Sequence, residues 1–483
     1  MDFISSISNS LRYGAIQATN SRYKVFLLLL AGTLLLRGQL LFTYELDHDV
    51  STYSVMANEW LKGHLPFVDY VDVKPIGIYA IFASAIFAFG NTLIAARILA
   101  ILFIAGTGFN VYRILIGFNR SQVFSLGSGL LFLLLASLHK WSWASNTEIF
   151  FVFFTSWGAF KILNAKRNTD YLWFGFACGL GFIIKYHVLF DYTALGVFWL
   201  ILSWKHESIK TLFYRLGSSF AAFLLPFALV NFFYWVTGNY SSFLEVSFGI
   251  PSRYSNNPGI IERLQFLGEF YLAFLPLSIL LIIGFLDSEK DERISLLSGI
   301  WIIMVWLAIF ATGKSFFHYY YQALLPLSIF ALEAIRIGKH RSIKILRRYA
   351  WLFLSLGVLG SLIAQYSQLK SRKHDPVISL ERDLKNKIKA GDRIYIQKKN
   401  ILYFTLDKSP IEKFVHNTLM FNQDHIDAFG ISLKDEYDRI KEVSPNFIVI
   451  PETGNAYLDN FISENFKIDT VYSPNLVLWT KNN

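Results

Sequence analysis

From Lys24 to about Gln365 the chain is a succession of long apolar runs separated by short charged segments. A helix needs roughly 17 to 25 consecutive apolar residues to cross a bilayer. Runs of about that size occur at 24–43, 93–115, 122–139, 144–163, 171–186, 188–204, 213–237, 266–286, 295–312, 316–336 and 349–366, and a twelfth, 76–90, is short. The pattern changes after residue 366. From 371 to 483 a helical pattern (SLERDLKNKIK) is followed by a strand (DRIYIQ), a helix (LKDEYDRIKEV), a strand (FIVIPE), a helix (LDNFISENF) and two strands (IDTVYS, LVLWT). Such alternation predicts a small α/β domain. The expected architecture is a polytopic α-helical membrane protein with about 11 to 13 transmembrane helices in residues 1–366, and a soluble α/β domain in 371–483.

Composition excludes an ordinary soluble protein. Of 483 residues 54% are apolar and 17% charged, against about a quarter charged in soluble domains, and mean hydropathy is +0.40. Of the net charge of +10, the membrane part carries +9, with 28 basic against 19 acidic residues, and the segment from 366 onward +1, with 17 against 16. Cytoplasmic loops enriched in Lys and Arg produce that excess, so no nucleic-acid partner is implied. The single cysteine, Cys178, excludes an intramolecular disulfide and a cysteine-built metal site. The first 24 residues are polar and the run after them lacks a small-residue cleavage site, so the first helix is expected to be an uncleaved anchor.

Basic residues recur in the amino-terminal segment and in alternate loops, most densely at Arg336, Lys339, Arg341, Lys344, Arg347 and Arg348. With these on the cytoplasmic side, the segment from Glu45 to Thr92 begins and ends outside, the run 76–90 is re-entrant or interfacial, and eleven crossings result. Every loop rich in unusual polar residues then falls on the outer face: 43–75, 139–148, 185–188, 238–265, 312–318 and the tail. One aqueous site on the non-cytoplasmic side is expected.

The outer loop 43–75 gathers Glu45, Asp47, Asp49, Asp69 and Asp72 with Lys74. Val50 to Leu61 has helical spacing with Tyr53, Ala57, Trp60 and Leu61 on one side, as in a helix lying in the interface. A carboxylate at a membrane-embedded cavity mouth is expensive to desolvate and tends to be used. Asp49 or Asp47 is the candidate general base for an acceptor hydroxyl or amine; the plain alternative is a solvated acidic loop. Lys74, before Pro75, either snorkels to the headgroups or holds a phosphate as a point charge. Arg97, Lys185, Arg253, and Lys314 with His318 and Tyr320 are further groups at membrane ends that suit a polyanionic headgroup, with snorkelling or aromatic-belt packing as the alternative for each. Trp141 and Trp143 read as interfacial anchors, and Arg37 as a side chain that snorkels outward or pairs with the loop acids. Gly313-Lys314-Ser315 has the end of a phosphate-binding P-loop, but position 308 is Ala where that motif has Gly, so ATP-driven transport is not expected. There is no GxGxxG, HExxH or metal-spaced histidine cluster, and no nucleotide cofactor is implied. A divalent cation shared by Asp47, Asp49 and Asp72 and a simple acidic loop both fit the sequence.

The order of features in the first loop is G-x-x-P/Y-x-x-D-x-x-D-x-K-P after an acidic pair and a Tyr-rich helix. It reads DHDVSTYSVMANEWLKGHLPFVDYVDVKPIGIY, and a short apolar run ending in FGNTLIAAR follows. This resembles the bacterial members of glycosyltransferase family 39, of the GT-C class that includes protein O-mannosyltransferases and lipid A aminoarabinose transferases. GKSFFHYYYQALLP is similar to the family's later outer motif. The resemblance implies an inverting transferase of the bacterial inner membrane, with a polyprenyl-phosphate-linked sugar as donor and a periplasmic lipid, glycan or protein as acceptor. It implies an outer-loop aspartate as base, matched by Asp49 through its spacing to Tyr53 and Ala57, with Val50 where the family has Glu, which keeps Asp47 open. Lys74 matches the lysine placed near the donor phosphate; Arg253, Lys314, His318 and Tyr320 are carried over by motif fragments. A monomer is the default. A lipid-linked-sugar flippase, and a receptor with an outer α/β domain, are the rivals; the acidic loop speaks for the transferase.

Overall fold

The computed structural model describes residues 21–253, 258–286, 291–337, 341–416 and 418–482. Each of the eleven long apolar runs is helical, the run 266–286 being split into Ile260–Ala273 and Leu275–Leu286. Among the described residues five helices are long and apolar enough to cross a membrane: Arg22–Phe42, Leu93–Gly117, Ile209–Val236, Glu292–Ala311 and Arg348–His374. A sixth span results if the pair Ile260–Ala273 and Leu275–Ile282, bent by 98°, counts as one. Ile76–Phe89, Gln122–Leu138 and Val188–Ser203 are apolar but shorter. The expected 11 to 13 counts every apolar run, whereas length and hydropathy together single out these five or six.

Contacts divide the chain into two compact units. The first comprises the described parts of Met1–Gly38, Leu99–Val230 and Asn256–Ala364. Without water to separate them, apolar helices associate through close backbone approach at small residues. Gly175 and Gly179, four apart on the Asn168–Phe182 helix, do this: a Cβ at either would overlap the main-chain oxygen of Ser219 or of Phe223. Gly175→Val is therefore expected to cost about 1–3 kcal/mol through overpacking and to lower the melting temperature in detergent. Gly217→Ala, at a glycine with open space around it, serves as the control that leaves it unchanged.

Helix ends in an apolar interior leave carbonyls that need donors. At the end of the Gln122–Leu138 helix Arg37 supplies them. It is buried, and donates to the carbonyls of Ala136 at 2.8 Å, Ser142 at 2.9 Å and Trp143 at 2.7 Å. It neither snorkels nor pairs with the loop acids, because these carbonyls would otherwise be buried without partners. Trp143 is likewise buried instead of anchoring at the interface, its indole N–H donating to Ser137 O at 3.2 Å.

The second unit joins Gln39–Ile98, Asn231–Ser255 and Gln365–Asn483. The tail holds a four-stranded sheet of β1 (Ile394–Ile396), β2 (Phe447–Ile450), β3 (Phe466–Ser473) and β4 (Leu476–Lys481), in the order β1-β2-β4-β3. β1 and β2 are parallel, and the other pairs antiparallel. Tyr395, Ile448, Ile450 and Phe466 from the strands pack on Tyr437 and Ile440 of the Leu433–Val443 helix, whose buried residues follow a helical stripe. The His48–Leu61 helix does not lie with one face to the interface. Ser51 to Glu59 are buried all round, because the helix packs on Ile76–Phe89 on one side and on Ile401–Thr405 of the tail on another.

One buried tail carboxyl titrates far from its usual range. Burial pushes Glu412 up from 4.5 to about 7, although its Oε2 accepts from the Tyr403 hydroxyl at 2.9 Å. The unfolded chain ionises Glu412 well below the pH at which the folded chain does. The stabilising effect of the protonated form is thus present at low pH and lost as pH rises through about 7. Glu412→Gln, which keeps the acceptor oxygen, is expected to match wild type in melting temperature at pH 4, below the usual Glu value of 4.5, and to exceed it at pH 8.

Candidate active site

The site is organised at the amino end of the His48–Leu61 helix. Asp47 is its N-cap, accepting the Asp49 backbone N–H at 2.9 Å and so satisfying a donor that the helix cannot. Asp49 sits in the first turn, where the helix dipole favours a negative charge. One of its carboxylate oxygens, Oδ2, accepts from Lys74 Nζ at 2.7 Å and from the Tyr53 hydroxyl, one helical turn on, at 3.2 Å. The other, Oδ1, lies 2.9 Å from His416 Nε2. Asp49, Lys74 and His416 are all half-sheltered, with side-chain exposures of 15%, 22% and 14%.

Each partner is placed by its own local structure. Pro75 begins the Ile76–Phe89 helix in an extended conformation and leaves Lys74 just outside it, with Nζ 5.8 Å from the centre of the Tyr53 ring. The Tyr53 ring is wedged edge-on between Tyr79 and Phe82 of that helix. Asp72 is buried and accepts from the Tyr79 hydroxyl at 2.9 Å. His416 is brought by the tail segment 410–416, which is laced to the first loop through its backbone. The Tyr70 hydroxyl donates to Pro410 O at 3.0 Å, Val71 N–H to Lys413 O at 2.9 Å, and Asn400 Nδ2 donates both to Val415 O at 2.6 Å and to Thr52 Oγ1 at 3.0 Å. Nothing in EKFVHNTLM marks His416 beforehand: it is a single histidine 367 positions from Asp49.

Beside this centre Glu45 accepts from Ser51 Oγ at 2.5 Å, with His48 at 3.3 Å and Lys399 at 3.9 Å. Burial pushes its pKa up, but the hydrogen bonds from His48 and Ser51 prevail and hold it below the usual carboxylate value. The same contact with Glu45 raises the pKa of His48. Among the described residues no three His, Cys, Asp or Glu side chains converge to hold a metal ion. Asp47, Asp49 and Asp72 do not form a cation cage, since Asp47 caps a helix and Asp72 faces Tyr79.

The remaining sequence candidates fall in both units. In the second, Arg253 is half-exposed, paired with Glu245 and donating to Ala428 O at 2.9 Å. In the first, Lys185 is buried, paired with Glu148 and 3.8 Å from the centre of the Tyr319 ring. His318 meets the same ring edge-on at 4.8 Å, so Tyr319 gathers Lys185 and His318. Tyr320 is turned elsewhere: its hydroxyl donates to Phe266 O at 2.6 Å and its ring stacks on Phe266 at 4.3 Å. Lys314 follows Gly313, whose φ of +64° makes the turn after Glu292–Ala311. Arg97 donates to the carbonyls of Leu41, at 3.0 Å, Thr43, at 2.6 Å, and Tyr44, and so serves the turn that leads into the first loop.

Two solved structures share this fold. ArnT from Cupriavidus metallidurans in the apo state matches with a TM-score of 0.66 at 15% identity, over 94% of this chain and 97% of that one. The same protein bound to undecaprenyl phosphate matches with a TM-score of 0.62 at 14% identity, over the same shares. No family model and no curated protein matches the chain. The fold is that of ArnT.

Proposed function

We propose that the chain is an inner-membrane glycosyltransferase that moves a sugar from a polyprenyl-phosphate carrier to an acceptor on the periplasmic side. The observation that carries this reading is the Asp49–Lys74 pair at 2.7 Å, a carboxylate suited to act as base beside a cation suited to a phosphate. The solved neighbour that holds undecaprenyl phosphate supports the donor class. In the reaction Asp49 takes the proton of the acceptor hydroxyl or amine as that atom bonds to the anomeric carbon. The bond from that carbon to the phosphate oxygen breaks, and the polyprenyl phosphate leaves already ionised. One carboxylate suffices for this inverting displacement, and no second acid is required. Lys74, which donates to Asp49, serves the departing phosphate electrostatically as a point charge.

The test is transfer of radiolabelled sugar from synthetic polyprenyl-phosphate sugars by the purified protein in detergent. Transfer to an acceptor, or slow release of polyprenyl phosphate to water, supports the reading. Binding of the lipid without either, together with its movement across vesicles, replaces it by the flippase.

A further inference from the structure

We propose that His416, delivered by the tail, is a positioning residue for Asp49. The proposal rests on the transferase reading above and adds to it a contact between the tail and the candidate base.

The tautomer follows from the hydrogen bonds. Thr418 meets His416 Nδ1 through its hydroxyl oxygen at 2.9 Å and its backbone N–H at 3.3 Å; the hydroxyl can donate or accept but the N–H can only donate, so Nδ1 acts as an acceptor and the ring proton resides on Nε2. Nε2–H then donates to Asp49 Oδ1 at 2.9 Å, and a neutral imidazole is enough. The same geometry argues against His416 as the base, because its lone-pair nitrogen is engaged by Thr418.

The carboxylate of Asp49 thus has two kinds of partner. Lys74 is a cation on a long, flexible stem, while Tyr53 and His416 are neutral donors on packed elements. When Lys74 turns towards a phosphate, Tyr53 and His416 hold the carboxylate fixed in direction. The segment bearing His416 is itself fixed, through Pro410, Lys413 and Val415, to Tyr70, Val71 and Asn400. Among the described residues, the charged and titratable groups facing Asp49 include Lys74 from the loop, Tyr53 and Asp47 from its own helix, His416 from the tail, and Tyr79, with Asp72 behind it.

The experiment compares full-length wild type, H416A, H416Q and D49N in the transfer assay, with donor binding and the pH dependence of kcat. H416A is expected to lower kcat roughly 10- to 100-fold through misplacement of the base, with donor KM unchanged. Loss of a donor to the carboxylate raises its pKa, so the acidic limb of kcat moves to higher pH. H416Q, whose amide N–H reaches the position of Nε2, restores most of kcat and returns the limb. Wild-type kcat in H416A overturns the proposal while the transferase reading stands. So does a loss of kcat with the limb unmoved and no rescue by H416Q, which is the signature of a purely structural role. A wild type that transfers no sugar overturns both readings.

Discussion

Asp49→Asn abolishes most of the transfer activity, lowering kcat by roughly 10²- to 10⁴-fold as expected for loss of a general base, while donor binding persists. Asn keeps the shape of the side chain and an acceptor oxygen for Lys74 and Tyr53, at the cost of the bond from His416, whose N–H then faces the amide NH2. What is lost is the ability to receive a proton. Asp47→Asn is the informative companion. Asp47 is engaged as the N-cap of the His48–Leu61 helix, and Asn caps a helix as well as Asp does, so this variant retains nearly full activity. The measurement is single-turnover transfer with donor affinity determined separately. If Asp47→Asn abolished transfer and Asp49→Asn did not, the base would be two residues upstream and the cap would be the catalytic group.

How far the sequence reaches can be seen in these two residues and their partners. Asp49 and Lys74 are 25 residues apart within a single loop, so composition and a short motif were enough to single them out. Asp47 and Asp49 could not be separated on sequence, because capping is a property of backbone geometry at the helix start. His416 was beyond reach for a different reason. Its approach to Asp49 depends on backbone bonds between the tail and the loop, and carbonyls and N–H groups carry no sequence signature. The His48–Leu61 helix was legible as a helix but not as a buried one: a polar face on Ser51, Ser54 and Asn58 reads as solvent-facing until tail residues such as Asn400, which donates to Thr52 at 3.0 Å, are known to cover it. In the tail, the sheet was readable from its apolar runs, whereas the short helices Ile401–Thr405 and Gln423–Phe429 are too brief for a periodicity to show. Arg37 illustrates the same limit inside the membrane part, since its partners are three carbonyls.

Lys185→Met is expected to destabilise the protein by about 3–5 kcal/mol, because removing one partner of a buried ion pair leaves the other charge uncompensated. The sequence offers Lys185 as a cation suited to a polyanionic headgroup, with snorkelling to the interface as the alternative. The structure pairs it with Glu148, which is 1% exposed and also accepts from the Thr147 hydroxyl at 3.1 Å. The double variant Lys185→Met with Glu148→Gln removes both charges and restores most of the lost stability, as neutral replacement of a buried pair does. Thermal unfolding in detergent of the two single variants and the double gives the coupling directly. Donor affinity in the double variant then separates the two roles. If Lys185 serves only to neutralise Glu148, the double variant binds the polyprenyl-phosphate sugar as wild type does, and the phosphate is left to Lys74. A double variant that is stable but binds the donor poorly would return Lys185 to the phosphate, with Glu148 as the group that holds it in place until the donor arrives.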